Sequence, residues 1–296
     1  MTRENIINEL TKRGYEAVGI TATKNNINLD AIVVSRIGQK SNVRPVLYMR
    51  TIQNLSIDEI IAIIEDSLQN ILLDEENTVS RLFDTDWIRQ HMYVALIREN
   101  PDFTGIYRPL YSGNNNSQVR LDTHVNISEY IIARFDDLTA DDSCGFVTVT
   151  QDILSMAGLS ESEAWDEAVR NTVAESKIYN FAYRMLQIMK DLDIDDEMKS
   201  ALENCNDDLP LYICTNDASM RGASAILNAK ALKKLADKLH CSKLVCSPSS
   251  VHECLVAPYM PFMSVDDLTQ MVKEVNTESV DETEQLADNA FIITVN

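Results

Sequence analysis

The 296-residue sequence predicts an α+β protein: an N-terminal α-β-β-β-α unit, a helical middle segment, and a C-terminal mixed α+β unit with antiparallel hairpins. Three observations lead there. Near both ends, β-branched runs follow one another across turns too short to hold a crossover helix, so neighbouring strands must pair antiparallel. From residue 150 the apolar residues switch to helical spacing. Hydrophobic content of 45% with only 8 Gly and 7 Pro gives enough apolar surface for a sizeable core and leaves little room for low-complexity chain. The expected organisation is 1–75, 76–208 and 209–296.

Taken in order, residues 2–13 form an amphipathic helix with Ile6, Ile7 and Leu10 on one stripe and Gly14 as its stop. Extended runs at 15–21, 29–35 and 43–49 follow. Asn25-Asn26 supplies the turn between the first two, and Pro45 marks the third as an edge or strand start. Ser56 caps the next helix and Glu59 completes a capping box, with apolar positions continuing to Leu72. In 76–130, Trp87, Met92, Val94, Leu96 and Ile97 fit a helix passing into a strand, or one longer helix; 112–118 is a polar loop.

Short apolar runs at 132–135 and 146–149 are strand candidates. Helices are expected at 152–157, 160–173 and 177–192, the second opened by a Ser160/Glu163 capping box. In the last ninety residues, strands are expected at 211–215 and 223–227 around the turn 216–222, then at 243–246 and 251–257, and finally at 291–295. Helices are expected at 229–239 and 265–275.

Charge narrows the function classes. The chain has 26 Lys+Arg against 46 Asp+Glu, a net charge of −20. That disfavours a direct nucleic-acid or anionic-membrane binder, since phosphate attraction dominates non-specific affinity for such polymers. Residues 131–208 hold 18 acidic and 6 basic side chains, a net −12, whereas 1–130 (17 against 13) and 209–296 (11 against 7) are each −4. The bland account of the middle segment is a solvated helical face; the sharper one is an interaction face for a basic protein surface or a nucleic-acid-binding groove. Asp136, Asp137, Asp141, Asp142, Asp193, Asp195, Asp196 and Glu197 are the interaction candidates. No apolar run is long enough for a membrane span, and the charged start predicts a cytoplasmic protein with reduced cysteines.

Several stretches resemble a bacterial family classed only as a domain of unknown function, common in gut Firmicutes and their mobile elements. They are Lys24-Asn25-Asn26 with Leu29, Arg44-Pro45 ahead of Tyr48-Met49, Tyr212 to Asn216, Gly222 to Leu227, the box Ser247-Pro248-Ser249-Ser250-Val251-His252-Glu253, and Val272 to Asn276. Ile27 and Ala31 depart from the pattern, which tends to Gly at both. The resemblance implies an intracellular α+β protein and brings no activity with it.

The chemistry-bearing residues are few. Ser249, Ser250, His252 and Glu253 include a nucleophile, a base and an acid, but in an extended segment Glu253 points away from the face shared by Ser250 and His252. A triad would need another carboxylate on His252; the structural alternative is a turn capped by serine hydroxyls, with His252 bonded to backbone or to Arg221. Asn216 and Arg221 are the accompanying ligand-binding candidates. His240, Cys241, Cys246, His252 and Cys254 lack the short ligand pairs of a zinc knuckle, and no metal or other cofactor is expected. The run beginning at Asp191 resembles a calcium loop but has Asp196 where Gly is required and Leu202 where Glu is required. Dinucleotide, P-loop and zincin signatures are absent. Four lysines between Lys230 and Lys238 read as helix surface charge. The leading expectation is a non-enzymatic interaction protein; the alternative is a hydrolase-like enzyme or small-ligand-binding protein centred on the Ser-Ser-Val-His-Glu box.

Overall fold

The computed structural model describes residues 1–38, 44–72, 79–100, 102–111, 119–122, 125–136, 145–188, 210–248, 250–260, 262 and 264–296. Helices and antiparallel sheets alternate along the chain, giving the expected α+β class. Two compact units emerge: 1–88 with 134–146, and 89–133 with 147–296.

In the first unit, α1 (Arg3–Lys12) precedes β1 (Tyr15–Lys24), β2 (Ile27–Arg36) and β3 (Val46–Tyr48). A short helix α2 (Met49–Ile52) and α3 (Ile57–Leu72) follow. Asn25 and Asn26 both take positive φ, 49° and 68°, so the two-residue turn matches strand twist and sets the register Lys24↔Ile27 through Tyr15↔Arg36. β3 is an edge strand, as Pro45 requires. One face of the sheet contributes Tyr15, Ile32, Val34 and Leu47 to a core shared with Ile6 and Leu10 of α1 and Ile60, Ile64 and Leu68 of α3. The Ser56/Glu59 capping box forms, with Ser56 N–H donating to Glu59 at 2.8 Å and Glu59 N–H donating to Ser56 Oγ at 3.3 Å.

Of the two readings of residues 87–97, the structure takes the first: α4 (Thr85–His91) runs into β4 (Met92–Arg98). β5 (Tyr107–Pro109), β6 (Val119–Leu121), β7 (Ile127–Phe135) and β8 (Gly145–Thr148) follow. β4, β7 and β5 lie side by side, and β8 joins β7. Every residue of β7 is buried, including the polar Ser128, Glu129 and Arg134 that interrupt its apolar run. The segment expected to be mostly helical therefore contains several strands; its helices begin with α5 (Gln151–Ala157) and α6 (Glu161–Glu175).

The helix expected over 177–192 starts instead as a strand, β9 (Ser176–Asn180), before α7 (Phe181–Ile188). β9 is recruited by ladder pairing from Ser176↔Asn216 to Asn180↔Tyr212, a non-local gain that helix periodicity cannot register. Asn180 Oδ1 then accepts from Tyr183 N–H and opens α7. The strand expected at 223–227 is a 3-10 segment, Gly222–Leu227, buried throughout. Its small Gly, Ala and Ser side chains let the backbone lie directly on neighbouring chain.

The remaining elements are β10 (Tyr212–Asn216), α8 (Ala229–Lys238), β11 (Lys243–Ser247), β12 (Cys254–Pro258), α9 (Val265–Ser279) and β13 (Phe291–Val295). They build an antiparallel sheet in the order β6-β13-β11-β12-β10-β9. β12 begins three residues later than the expected strand at 251, because residues 250–253 turn first.

The Ser160/Glu163 capping box also forms and sets a stability prediction. Ser160 Oγ accepts from Glu163 N–H at 3.3 Å, and the Glu163 carboxylate accepts from Ser160 N–H and hydroxyl and from Arg89. These bonds, the Ser160 hydroxyl first, hold the Glu163 pKa down at about 2. A lowered carboxylate pKa stabilises the fold above its unfolded value, and the contribution is lost as pH falls from about 4.5 toward about 2. Ser160→Ala is expected to cost about 1 kcal/mol in urea unfolding at neutral pH. The cost should shrink below pH about 4.5.

Candidate functional site

The motif residues gather where β10, the 3-10 segment and the turn before β12 meet. β10 ends at Asn216, whose side chain folds over the following loop: Nδ2 donates to Met220 O at 2.9 Å and Oδ1 accepts from Met220 N–H at 3.2 Å. The loop closes with Ser219 and Arg221 both at positive φ, 50° and 53°. That geometry aims the Arg221 N–H at His252, which accepts it on Nδ1 at 3.3 Å. Thr215, one residue before Asn216, donates its hydroxyl to His252 O at 3.0 Å.

Gly222 is the keystone of this arrangement. A Cβ there would stand 2.5 Å from Thr215 Oγ1, 2.6 Å from Asn216 N and 2.8 Å from His252 O. The Asn216 to Gly222 turn and the box are thus fitted backbone to backbone, with no room for a side chain between them.

The box itself is a turn. Ser250 Oγ accepts from His252 N–H at 3.0 Å, and Val251 N–H donates to Glu284 O at 2.8 Å, while Ser250 bridges Gln285 in antiparallel fashion. The carboxylate that reaches the imidazole is Glu284, 3.6 Å from Nε2, rather than the adjacent Glu253, which is partly exposed. Because a backbone N–H can only donate, Nδ1 must be an unprotonated acceptor, and neutral His252 carries its proton on Nε2, facing Glu284. Nδ1 is then committed to backbone, and Nε2 stands 3.6 Å from the Glu284 carboxylate, beyond hydrogen-bond distance. A Ser-His-acid relay needs a free nitrogen toward the nucleophile. Ser250 Oγ is turned toward the His252 backbone N–H, and Ser249 lies outside the described residues.

The site is buttressed by residues that carried no sequence signal. Burial raises the Tyr130 hydroxyl's pKa, and a hydrogen bond with Arg221 opposes the rise. Glu129, 1% exposed, accepts from Arg108 Nε and from Tyr111 N–H, each at 2.7 Å. Burial raises the Glu129 pKa against the pull of Arg108. Arg108 stacks 3.9 Å from the Trp165 ring centroid, and Tyr111 donates its hydroxyl to Ile226 O at 2.7 Å, tying this network to the 3-10 segment. These partners lie about a hundred residues from the box in sequence, so spacing could not reveal them.

Among the other candidates, Asp136 is exposed and receives both Nε and Nη2 of Arg134, at 2.7 and 3.3 Å. Asp137, Asp141, Asp142, Asp193, Asp195, Asp196 and Glu197 lie outside the described residues, as does the calcium-like run beginning at Asp191. Cys214, Cys246 and Cys254 are buried free thiols, and burial raises the pKa of Cys214 and Cys246 well above the usual thiol range. Among the described residues, no group of three or more His, Cys, Asp or Glu side chains is placed to hold a metal ion. On α8, Lys233 pairs with Asp237 and Lys238 stands over the Tyr212 ring. Among the described residues, no helix is long and apolar enough to cross a membrane.

Fold and site together define an α+β protein whose signature residues, Asn216, Gly222 and the box around His252, lock one backbone turn onto another. The chain belongs to DUF5688, a family of unknown function, which matches residues 130–293. That span begins within β7 and includes the whole junction; the Lys24-Asn25-Asn26 and Arg44-Pro45 motifs fall before it. No curated protein and no solved structure matches the chain.

Proposed function

We propose that this is an acidic, cytoplasmic interaction protein that binds a basic protein surface, such as the face with which a protein grips nucleic acid. The observation that carries the reading is the charge distribution: a net −20, of which −12 falls in residues 131–208. Within that stretch Asp136, Asp152, Glu161, Glu163 and Asp166 are exposed. Complementary potential of this kind speeds encounter with a cationic partner and repels anionic polymers. The commitment of His252 Nδ1 to the Arg221 backbone supports a structural role for the box.

A second reading, a hydrolase-like or small-ligand-binding site at the box, draws on one observation. Glu284 lies 3.6 Å from a histidine whose side chain is 30% exposed.

Affinity capture from bacterial lysate at about 0.05 and 0.5 M salt, with mass spectrometry of the retained proteins, separates the two readings. A stoichiometric basic partner is expected at low salt. It should be lost at high salt and on replacing Asp136, Asp152, Glu161 and Asp166 by their amides, and kept by His252→Ala. Capture that ignores salt and the amide changes would overturn the interaction reading. A bound small molecule or peptide lost in His252→Ala would establish the second.

A further inference from the structure

The charge reading sets the basic partner against the carboxylates of residues 131–208, and helix α9 offers it a second place to land. Only Val272 and Asn276 of its fifteen residues are buried. Leu268 and Val272 pack with Val245 and Ala290, while Asn276 Nδ2 donates to Ala287 O at 2.9 Å and to Asp288 Oδ1 at 3.1 Å. Gln285 Nε2 donates to Asn276 O and Val280 O, fixing the end of the helix. The helix is therefore held firmly along one side, and its other side presents apolar surface: Met271 is 59% and Val275 44% exposed. Just ahead of the helix, Phe262 is 85% and Met260 37% exposed. Met271 and Val275, one turn apart on α9, thus present adjoining apolar side chains to water.

The charges around them say what would cover them. At 3.6 residues per turn, Met271 and Val275 sit one turn apart, and Asp267, Glu274 and Glu278 all fall within about 60° of Met271 around the helix axis. The helix's single lysine, Lys273, lies about 160° away on the same reckoning. All three carboxylates are exposed, and among the described residues none of them is in an ion pair. The segment 265–284 carries seven carboxylates and one lysine. A second copy of α9 would set carboxylates against carboxylates, and an anionic lipid surface would be repelled in the same way. A cationic partner alone would leave the methionine and valine uncovered. An amphipathic helix satisfies both demands, with apolar side chains at i and i+4 and lysines or arginines along their margin.

We infer that α9 is the docking face for a basic amphipathic helix of the partner protein. That helix seats its apolar side chains on Met271 and Val275 and its cations on Asp267, Glu274 and Glu278. The inference rests on the interaction reading above and adds a second contact to the one at residues 131–208.

The test uses the full chain and a fluorescent synthetic amphipathic helix of leucine and lysine, with anisotropy as readout. Wild type is expected to bind it and to ignore the same peptide with glutamate in place of lysine. Met271→Ser combined with Val275→Ser, which changes no charge, should weaken binding at least about tenfold. Asp267→Asn with Glu274→Gln and Glu278→Gln should weaken it and flatten its salt dependence. Amide replacement of Glu4 in α1 and Asp86 in α4, exposed carboxylates outside both acidic segments, should leave affinity unchanged. Circular dichroism confirms that each variant folds. Wild-type affinity in the Met271/Val275 variant would overturn the inference. So would sedimentation showing that wild type self-associates through Met271 and Val275. If the basic partner captured from lysate stays on the Met271/Val275 variant but leaves when the 131–208 carboxylates are neutralised, the location is wrong and the interaction reading stands. If neither basic peptide nor basic partner binds wild type, the reading itself fails.

Discussion

Glu129→Ala is expected to cost about 3–5 kcal/mol of folding stability, measured by urea unfolding at neutral pH. Glu129 is 1% exposed and serves two donors at once, Arg108 Nε and Tyr111 N–H. Removing the carboxylate leaves a guanidinium, 21% exposed, and a backbone N–H without their acceptor. Glu129→Gln keeps the volume and one acceptor oxygen, so a smaller loss of about 1–3 kcal/mol is expected. The pair of variants also has a pH signature. Burial raises the folded-state pKa of Glu129, so folding favours its protonated form. Its favourable contribution is complete below the unfolded carboxyl pKa and is lost as pH rises through the folded value. The stability of wild type relative to Glu129→Gln should therefore fall as pH rises through that range. A constant difference would show that burial does not govern this carboxyl.

Gly222→Ala is expected to destabilise by about 3 kcal/mol, at the upper end for overpacking, because the atoms in the way include two backbone atoms. The added methyl would meet Asn216 N at 2.6 Å and His252 O at 2.8 Å, and neither can rotate aside. Gly158→Ala is the control: its φ of 71° strains any side chain, yet nothing lies within 4 Å of the new Cβ. About 1–2 kcal/mol is expected there, from backbone conformation alone. Thermal unfolding of both proteins checks the ranking, and equal losses would mean that the junction relaxes around the methyl. A large loss at Gly222 with partner capture intact would separate the structural role of the box from the interaction role of the acidic surface.

Where local chemistry decides, the sequence was legible. Asn25-Asn26 fixed a hairpin turn, Ser56/Glu59 and Ser160/Glu163 opened their helices, and the last strand is Phe291–Val295 as its apolar run predicts. That Glu253 would point away from His252 was legible only as an expectation for an extended segment, and the box is a turn instead. Which carboxylate reaches the imidazole was not legible, because Glu284 arrives through the Ser250 to Gln285 bridge, a pairing across more than thirty residues.

The failures share a cause. Residues 176–180 pair with β10, and 222–227 coil against it; in both, a neighbour distant in sequence offered hydrogen bonds or close packing that outweighed local preference. The buried Arg108, Glu129 and Tyr111 network is of the same kind, since a carboxylate looks like any surface charge until two donors are folded around it. By itself the sequence determined the α+β class, the turns and caps, and the strongly acidic balance, because these depend on composition and on residues within a few positions of one another. Only the tertiary structure decided that Asn216, Gly222 and His252 form one junction and that Met271 and Val275 stay in water, because both follow from which distant segments share a surface.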